Sequence, residues 1–300
     1  MKKLLLIGLI AGISAVIFLS KDYFLGSFEI LGKSRNSNLL AEAGQSNEEA
    51  EFENIDLNFS SEDIANRFPN LSDWQRPDSP PRVGLQVGHW KTKELPDELE
   101  RIRERGGGSN GGGKAEWEVN LAIVEKTASL LRNRGIIVDI LPATVPEAYW
   151  ADAFVAVHAD GNTNPSASGF KVASGYACSF GSRLGRRFQH EGQESFSSQW
   201  ASRMHGVCPE GNEANKLVEL LEVEYQKATG LDVDRNVSHN MRGYYAFNWQ
   251  RYEHAVHPMT AAVILETGFL TSPHDRDILI NNPGKAAAGI ANATLEFLKE

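Results

Sequence analysis

The sequence predicts a single α/β domain over residues 82–300, built on a mostly parallel, twisted sheet flanked by helices. Three observations lead there. Val83-Gly84-Leu85-Gln86-Val87 and Ala153-Phe154-Val155-Ala156-Val157 are short apolar runs, stopped by Gly88-His89 and by His158, and they read as buried strands. Between them, Ala115 to Arg134 carries Val119, Ala122, Ile123, Leu130 and Leu131 near a 3.6-residue period, with Gly135 in the helix-stop position. The β-branched run Ile136-Ile137-Val138-Asp139-Ile140-Leu141 follows at once. Strand, helix, strand at that spacing is a βαβ unit, whose crossover brings its strands together in parallel.

Ahead of the domain, Lys2 and Lys3 precede an apolar run from Leu4 to Leu19 broken only by Ser14. A basic start and an apolar core make an export signal, and no small-x-small cleavage site follows at the usual distance. Residues 1–31 are therefore expected to form an uncleaved signal-anchor helix, with a removed signal peptide as the alternative. Lysines before the span leave the N-terminus in the cytoplasm and the remainder outside, membrane-anchored or, if cleaved, secreted. Residues 32–81 are rich in Asn, Ser, Glu and Asp and close on Pro77-Asp78-Ser79-Pro80-Pro81. Their low apolar content and excess acid predict a flexible linker. Asp56-Leu57-Asn58-Phe59 and Ile64-Ala65-Asn66-Arg67-Phe68 have the pattern to dock on the body.

Within the body, the segment from Trp90 to Lys114 holds Gly106-Gly107-Gly108-Ser109-Asn110-Gly111-Gly112-Gly113. No Gly-Lys-Ser or Gly-Lys-Thr closes it, so it is not a phosphate loop, and a flexible lead-in to the helix is expected. Further along, Gly169 to Ala173 reads as a strand, Ser182 to His205 and Glu213 to Thr229 as mainly helical, and Tyr244 to Phe247 as another strand. Ala261-Ala262-Val263-Ile264-Leu265-Glu266 is a strand ending in a carboxylate, and Lys285 to Leu298 is an amphipathic closing helix.

The 300 residues are 41% hydrophobic and 23% charged, ordinary for a globular protein. A net charge of −9 argues against a nucleic-acid partner, which wants a basic face. The two cysteines, Cys178 and Cys208, lack metal-site spacing. In an exported chain they form one disulfide or else stay as two buried thiols.

The chemistry concentrates at strand ends, where open α/β sheets hold their ligands. His89 and His158 each end a strand, and Glu116 begins the helix between them. Two imidazoles and a carboxylate are an accepted donor set for a catalytic zinc, with a fourth position left open. Glu118 rivals Glu116, since either could be a helix-start charge favoured by the helix dipole. Asp152 and Asp160 are candidates to hold the second imidazole nitrogens. Glu266 would act as general base beside the ion.

These residues resemble a known family, the zinc-dependent N-acetylmuramoyl-L-alanine amidases of bacterial cell walls. The resemblance lies in Val87-Gly88-His89, Glu116-Trp117-Glu118-Val119-Asn120-Leu121, Ala153 to Asp160 and Ile264-Leu265-Glu266-Thr267-Gly268-Phe269-Leu270. It implies a sheet of about six strands, Zn²⁺ held by His89, Glu116 and His158 in preference to Glu118, and catalysis by Glu266. It implies hydrolysis of the amide between N-acetylmuramic acid and L-alanine, with peptidoglycan as partner. Two departures stand out: Trp90 and Lys91 follow the first histidine where the family has glycines, and the Cys178 to Cys208 region reads as an insertion walling the cleft. Arg242 and His257 are candidate substrate contacts, the first as a grip for a stem-peptide carboxylate. His190, His205, His239, His254 and His274 lie in polar or loop contexts and read as surface residues. Two alternatives keep part of this reading: a zinc peptidase cutting within the stem peptide, and a non-catalytic wall-binding module on the same fold.

Overall fold

Strands that are apolar on both faces need covering on both sides and a neighbour on each edge. The chain supplies these. The computed structural model describes residues 71–179 and 208–299, all within one unit, Asn58–Glu300. Strands β1 (Arg82–Val87), β4 (Ile137–Leu141), β5 (Ala153–Asp160), β6 (Lys171–Ser174) and β7 (Ala261–Phe269) form one sheet in the order β4-β1-β5-β7-β6. The pairs β4-β1, β1-β5 and β5-β7 are parallel, and only β6 runs antiparallel, against β7. A small separate hairpin joins β2 (Asn110–Gly111) to β3 (Lys114–Ala115).

Three long helices cover one face: α1 (Glu116–Arg132), α2 (Ala214–Thr229) and α3 (Pro283–Phe297), with α3 packed on both others. Because side chains alternate along a strand, Val83, Leu85, Val87, Val155, Val157, Val263 and Leu265 meet these helices in one core. Each side chain buried this way contributes about 1.5–3 kcal/mol. The alternate set, Phe154, Ala156, Ala262 and Ile264, packs with Leu141, Val145, Met241, Tyr245 and Phe247 on the other face. Gln86, His158 and Glu266 share the parity of that second set. Tyr225 on α2 fastens helix to sheet by donating its hydroxyl to the Thr267 carbonyl at 2.8 Å.

Two sequence expectations change. The sheet has five strands among the described residues, where about six were expected. Tyr244 to Phe247, expected to be a strand, holds instead a 3₁₀ turn at Tyr245–Phe247. Three consecutive residues, Tyr245, Ala246 and Phe247, all pack into the second core, which the alternation of a strand would forbid. The expected N-terminal helix (1–31), the linker up to residue 70 and the expected helix Ser182 to His205 lie outside the described residues. Among the described residues no helix is long and apolar enough to cross a membrane. Residues at the end of the acidic stretch lie against the body. Trp74 packs on Trp150 and His257, with ring centroids 5.9 and 5.5 Å away, and Arg76 pairs with Asp152 at 2.5 Å.

Candidate active site

β1 ends at Val87, and the chain turns through Gly88, whose N–H donates to the Val157 carbonyl at 2.9 Å. A Cβ on Gly88 would lie 2.6 Å from the His158 ring, so the close approach of the two strand ends requires glycine. His89 itself takes a left-handed φ of 61°, which swings its ring over the sheet edge and sets it 5.1 Å, edge to face, from the His158 ring.

Glu116 opens α1, where the helix dipole favours a carboxylate. It is 3% exposed and fully engaged. Its Oε2 accepts the Ser109 N–H at 2.7 Å, and its Oε1 accepts the Ala159 N–H at 3.1 Å and the Asn120 amide at 3.3 Å. Glu118 instead turns back to accept the Ala115 N–H at 2.9 Å, a helix-capping bond, which separates the two rival glutamates. The His158 Nδ1 lies 3.1 Å and the His89 Nε2 3.6 Å from the Glu116 Oε1. All three donor atoms fall within 4.8 Å of one another.

The electrostatics suit a cation. Burial pushes the Glu116 carboxyl up, but the His158 hydrogen bond, both imidazoles and the Ser109 N–H outweigh it and hold it well below the usual range. Burial lowers His89, against the pull of Glu116. Burial lowers His158 too, but the Glu116 bond and the charges of Glu116 and Glu266 leave it raised. Glu266 pairs in register with His158 across β5 and β7. Its residue is partly exposed, yet its Oε2 is sealed from solvent with no hydrogen-bond partner. Its carboxyl is pushed up to about 8, first by burial, then by Glu116 and Asp160, against the lowering charges of His158 and Lys171. An unbonded buried oxygen beside three converging donors has lone pairs to spare for a ligand in the cleft. Two imidazoles and a carboxylate at this spacing fit a divalent ion of the zinc class.

The second imidazole nitrogens are held differently from expectation. The His89 Nδ1 is 3.0 Å from the Gly106 carbonyl, and the His158 Nε2 is 3.4 Å from the Tyr244 hydroxyl. Asp160 is bound to Lys171. Asp152 accepts the Arg82 N–H at 2.7 Å and pairs with Arg76, at the opposite end of β5. The glycine-rich segment, expected as a flexible lead-in, is folded onto the site. It carries the β2-β3 hairpin, and the Ser109 hydroxyl donates to the Ala159 carbonyl at 2.7 Å.

His257, expected as a substrate contact, lies toward the opposite end of the sheet from His158. Its N–H donates to the Tyr149 carbonyl and its ring packs on Trp74, before the start of β5. Five strand residues then separate that end from His158, about 16 Å at ~3.3 Å each. Proximity in sequence to β7 misleads because the chain enters β7 at the end remote from Glu266. Arg242 ends the short helix His239–Arg242, two residues before Tyr244, partly buried and under the electrostatic influence of Tyr176. His239 stacks on Tyr176, and His254 pairs with Glu98 at 2.7 Å. His274 bonds Ser168 and Asp275. A disulfide joins Cys178 to Cys208. Sequence reasoning missed Gly106, Ser109, Asn120, Gln86 and Tyr244. Asn120 was detectable, four residues after Glu116 on one helix face, and so was Gln86, the single polar residue of the apolar run Val83 to Val87. Tyr244 carried no signal.

A family profile described as N-acetylmuramoyl-L-alanine amidase matches residues 83–296. The N-acetylmuramoyl-L-alanine amidase AmiA of Salmonella typhimurium is 24% identical over 211 residues, covering 62% of this chain and 69% of that protein. Among solved structures, the catalytic domain of the amidase CwlV from Bacillus (Paenibacillus) polymyxa var. colistinus aligns with a TM-score of 0.44 at 17% identity, over 73% of this chain and 98% of that one. An N-acetylmuramoyl-L-alanine amidase from Clostridium difficile 630 aligns with a TM-score of 0.43 at 15% identity, over 74% and 98%. The profile match, running from the first residues of β1 to the end of α3, places this chain in the N-acetylmuramoyl-L-alanine amidase family.

Proposed function

We propose that this chain hydrolyses the amide between N-acetylmuramic acid and L-alanine of peptidoglycan, with His89, Glu116 and His158 holding Zn²⁺ and Glu266 acting as general base. The observation that carries the reading is the unbonded, sealed Oε2 of Glu266, in register with His158 beside three converging donors. Zinc supplies Lewis acidity there, polarising the scissile carbonyl and lowering the pKa of water towards ~7. The chain's own residues do the rest. Glu116, held by two backbone N–H groups, gives the site negative charge without competing for the proton. Glu266 takes a proton at its free oxygen from the attacking water and returns it to the leaving alanine nitrogen. Its raised pKa in the metal-free site is the proton affinity such a base needs, and a dication nearby would draw it down. Arg242 would grip a stem-peptide carboxylate through its guanidinium. Export and a membrane tether through residues 1–31 complete the reading and rest on the sequence.

The test is product analysis. Zinc-loaded protein incubated with muropeptides should release peptides beginning at L-alanine and glycan bearing free lactyl carboxylates, as read by mass spectrometry. Cleavage elsewhere in the stem would assign the chain as a peptidase. Glu266→Gln should lower kcat by about 10²–10⁴ with zinc still bound. Unchanged turnover in that variant would remove Glu266 from the mechanism.

A further inference from the structure

Gln86 is the one buried polar side chain of β1, set among the buried apolar residues Val83, Leu85 and Val87. Its amide Nε2 lies 2.8 Å from the Ala143 carbonyl and 2.9 Å from the Tyr245 hydroxyl, and its Oε1 lies 2.8 Å from the Tyr244 hydroxyl. Tyr245 in turn donates to the Ala143 carbonyl and accepts the Val145 N–H at 3.1 Å. The Tyr244 ring stands edge-on to His158 at 5.5 Å, with its oxygen 3.4 Å from the Nε2.

The donors and acceptors in this chain admit one arrangement. A carbonyl only accepts, so the Ala143 oxygen must face the Gln86 amide NH₂, which fixes the amide's orientation. The Gln86 Oε1 then faces Tyr244, and it too only accepts. Tyr244 has one hydroxyl proton, and Gln86 takes it. Toward His158 the tyrosine oxygen can therefore only accept, so the His158 Nε2 must carry a proton. With Nε2 protonated, Nδ1, which donates to Glu116 at 3.1 Å while no cation is bound, is the nitrogen left to give up its proton and turn its lone pair to a metal. His89 reaches the opposite assignment by the same logic, since the Gly106 carbonyl takes its Nδ1 proton and frees Nε2.

We propose that Tyr244, polarised by Gln86, is a positioning residue that fixes the His158 tautomer so that its Nδ1 is offered to the metal. The inference rests on the metal-site reading above. A residue in this role acts on metal affinity through a histidine's second nitrogen, and losing one typically costs about 10–100-fold. The two residues are far apart in the sequence. Gln86 reaches the site because β1 lies beside β5, and Tyr244 because the turn after His239–Arg242 crosses the same face.

The experiment uses the purified full chain with ¹⁵N-labelled histidine. Long-range ¹H–¹⁵N correlation spectra of the zinc-loaded protein should show His158 protonated at Nε2 and coordinated through Nδ1. Chelator competition should show zinc affinity falling about 10–100-fold in Tyr244→Phe, which keeps the ring and removes the acceptor. Gln86→Leu should weaken zinc in the same direction, because the tyrosine proton is then free to turn onto the histidine. The double variant should be no weaker than Tyr244→Phe alone. A residue that only packs would lower the thermal midpoint and leave the nitrogen assignment and zinc affinity as in the wild type, and that result overturns the proposal. Coordination of wild-type His158 through Nε2 also overturns it, whether or not either variant folds. A wild-type chain that binds no zinc overturns the metal-site reading and this inference together, whereas a zinc-binding wild type with unaffected variants overturns this inference alone.

Discussion

Gly108→Ala perturbs the site without substituting any of its functional side chains. Gly108 has φ +73°, and an added Cβ would stand 2.2 Å from the Glu116 Oε2 and 2.6 Å from a carbon of the His89 ring. Two costs follow. Holding an L-residue in the left-handed region costs about 1–2 kcal/mol. The contact costs more in function than in stability, because neither neighbour is a free side-chain end. The Glu116 oxygen is pinned by the Ser109 N–H at 2.7 Å, and His89 is pinned by the Gly106 carbonyl at 3.0 Å. Gly113 supplies the control. It has φ +76° and nothing within 4 Å, so Gly113→Ala meets the backbone cost without the clash. Differential scanning fluorimetry should show both variants losing roughly 2–8 °C, the range that ~1–2 kcal/mol implies for a domain of this size. Zinc titration against a chromophoric chelator should separate them: Gly108→Ala should bind about 10–100-fold more weakly, by analogy with other losses of ligand support. Equal zinc affinity in the two variants would refute the argument that the glycine-rich segment sets the positions of His89 and Glu116.

Metal-free stability should depend on pH through Glu266. Its folded pKa, about 8, lies above the ordinary 4.5, so the folded state keeps a proton that the unfolded chain has released. That contribution is complete below about pH 4.5 and is lost as pH rises through about 8. Glu266→Gln mimics the protonated acid, so its metal-free thermal midpoint should fall less than the wild type's across that window. Parallel curves would show that Glu266 does not hold the proton. Asp275 is fully buried and gathers the end of β7 with the loop before β6. It accepts the Phe269 N–H at 2.9 Å, the Gly169 N–H at 3.1 Å and the Ser168 hydroxyl at 2.5 Å. Asp275→Ala orphans those donors at about 1–3 kcal/mol each and should lower stability in urea titrations by about 3 kcal/mol or more. A loss under about 1 kcal/mol would mean that water replaces the carboxylate.

The elements that carry the site were readable along the chain because each announces itself locally. An apolar run closed by Gly88-His89, another closed by His158, and Glu116 at a helix start need only residue order and the periods of strand and helix. The parallel pairing follows from the crossover, and register then brings His158 opposite Glu266. Where two residues competed, as Glu116 did with Glu118, local pattern alone left the choice open. The structure separates them through capping geometry: one carboxylate reaches back to Ala115 while the other turns inward. His257 shows the converse, since its nearness in sequence to β7 brings it to the end of that strand remote from Glu266. The second contacts of the imidazoles were beyond sequence altogether. Gly106 offers a backbone carbonyl, which no residue type advertises. Gln86 and Tyr244 meet only because β1 lies beside β5 and a 3₁₀ turn replaces a strand. Sequence alone determined which side chains arrive at the carboxyl ends of the strands, since that depends on local period and termination. Tertiary structure decided which nitrogen of each histidine faces the cluster, because hydrogen-bond polarity belongs to contacts between segments that only packing brings together.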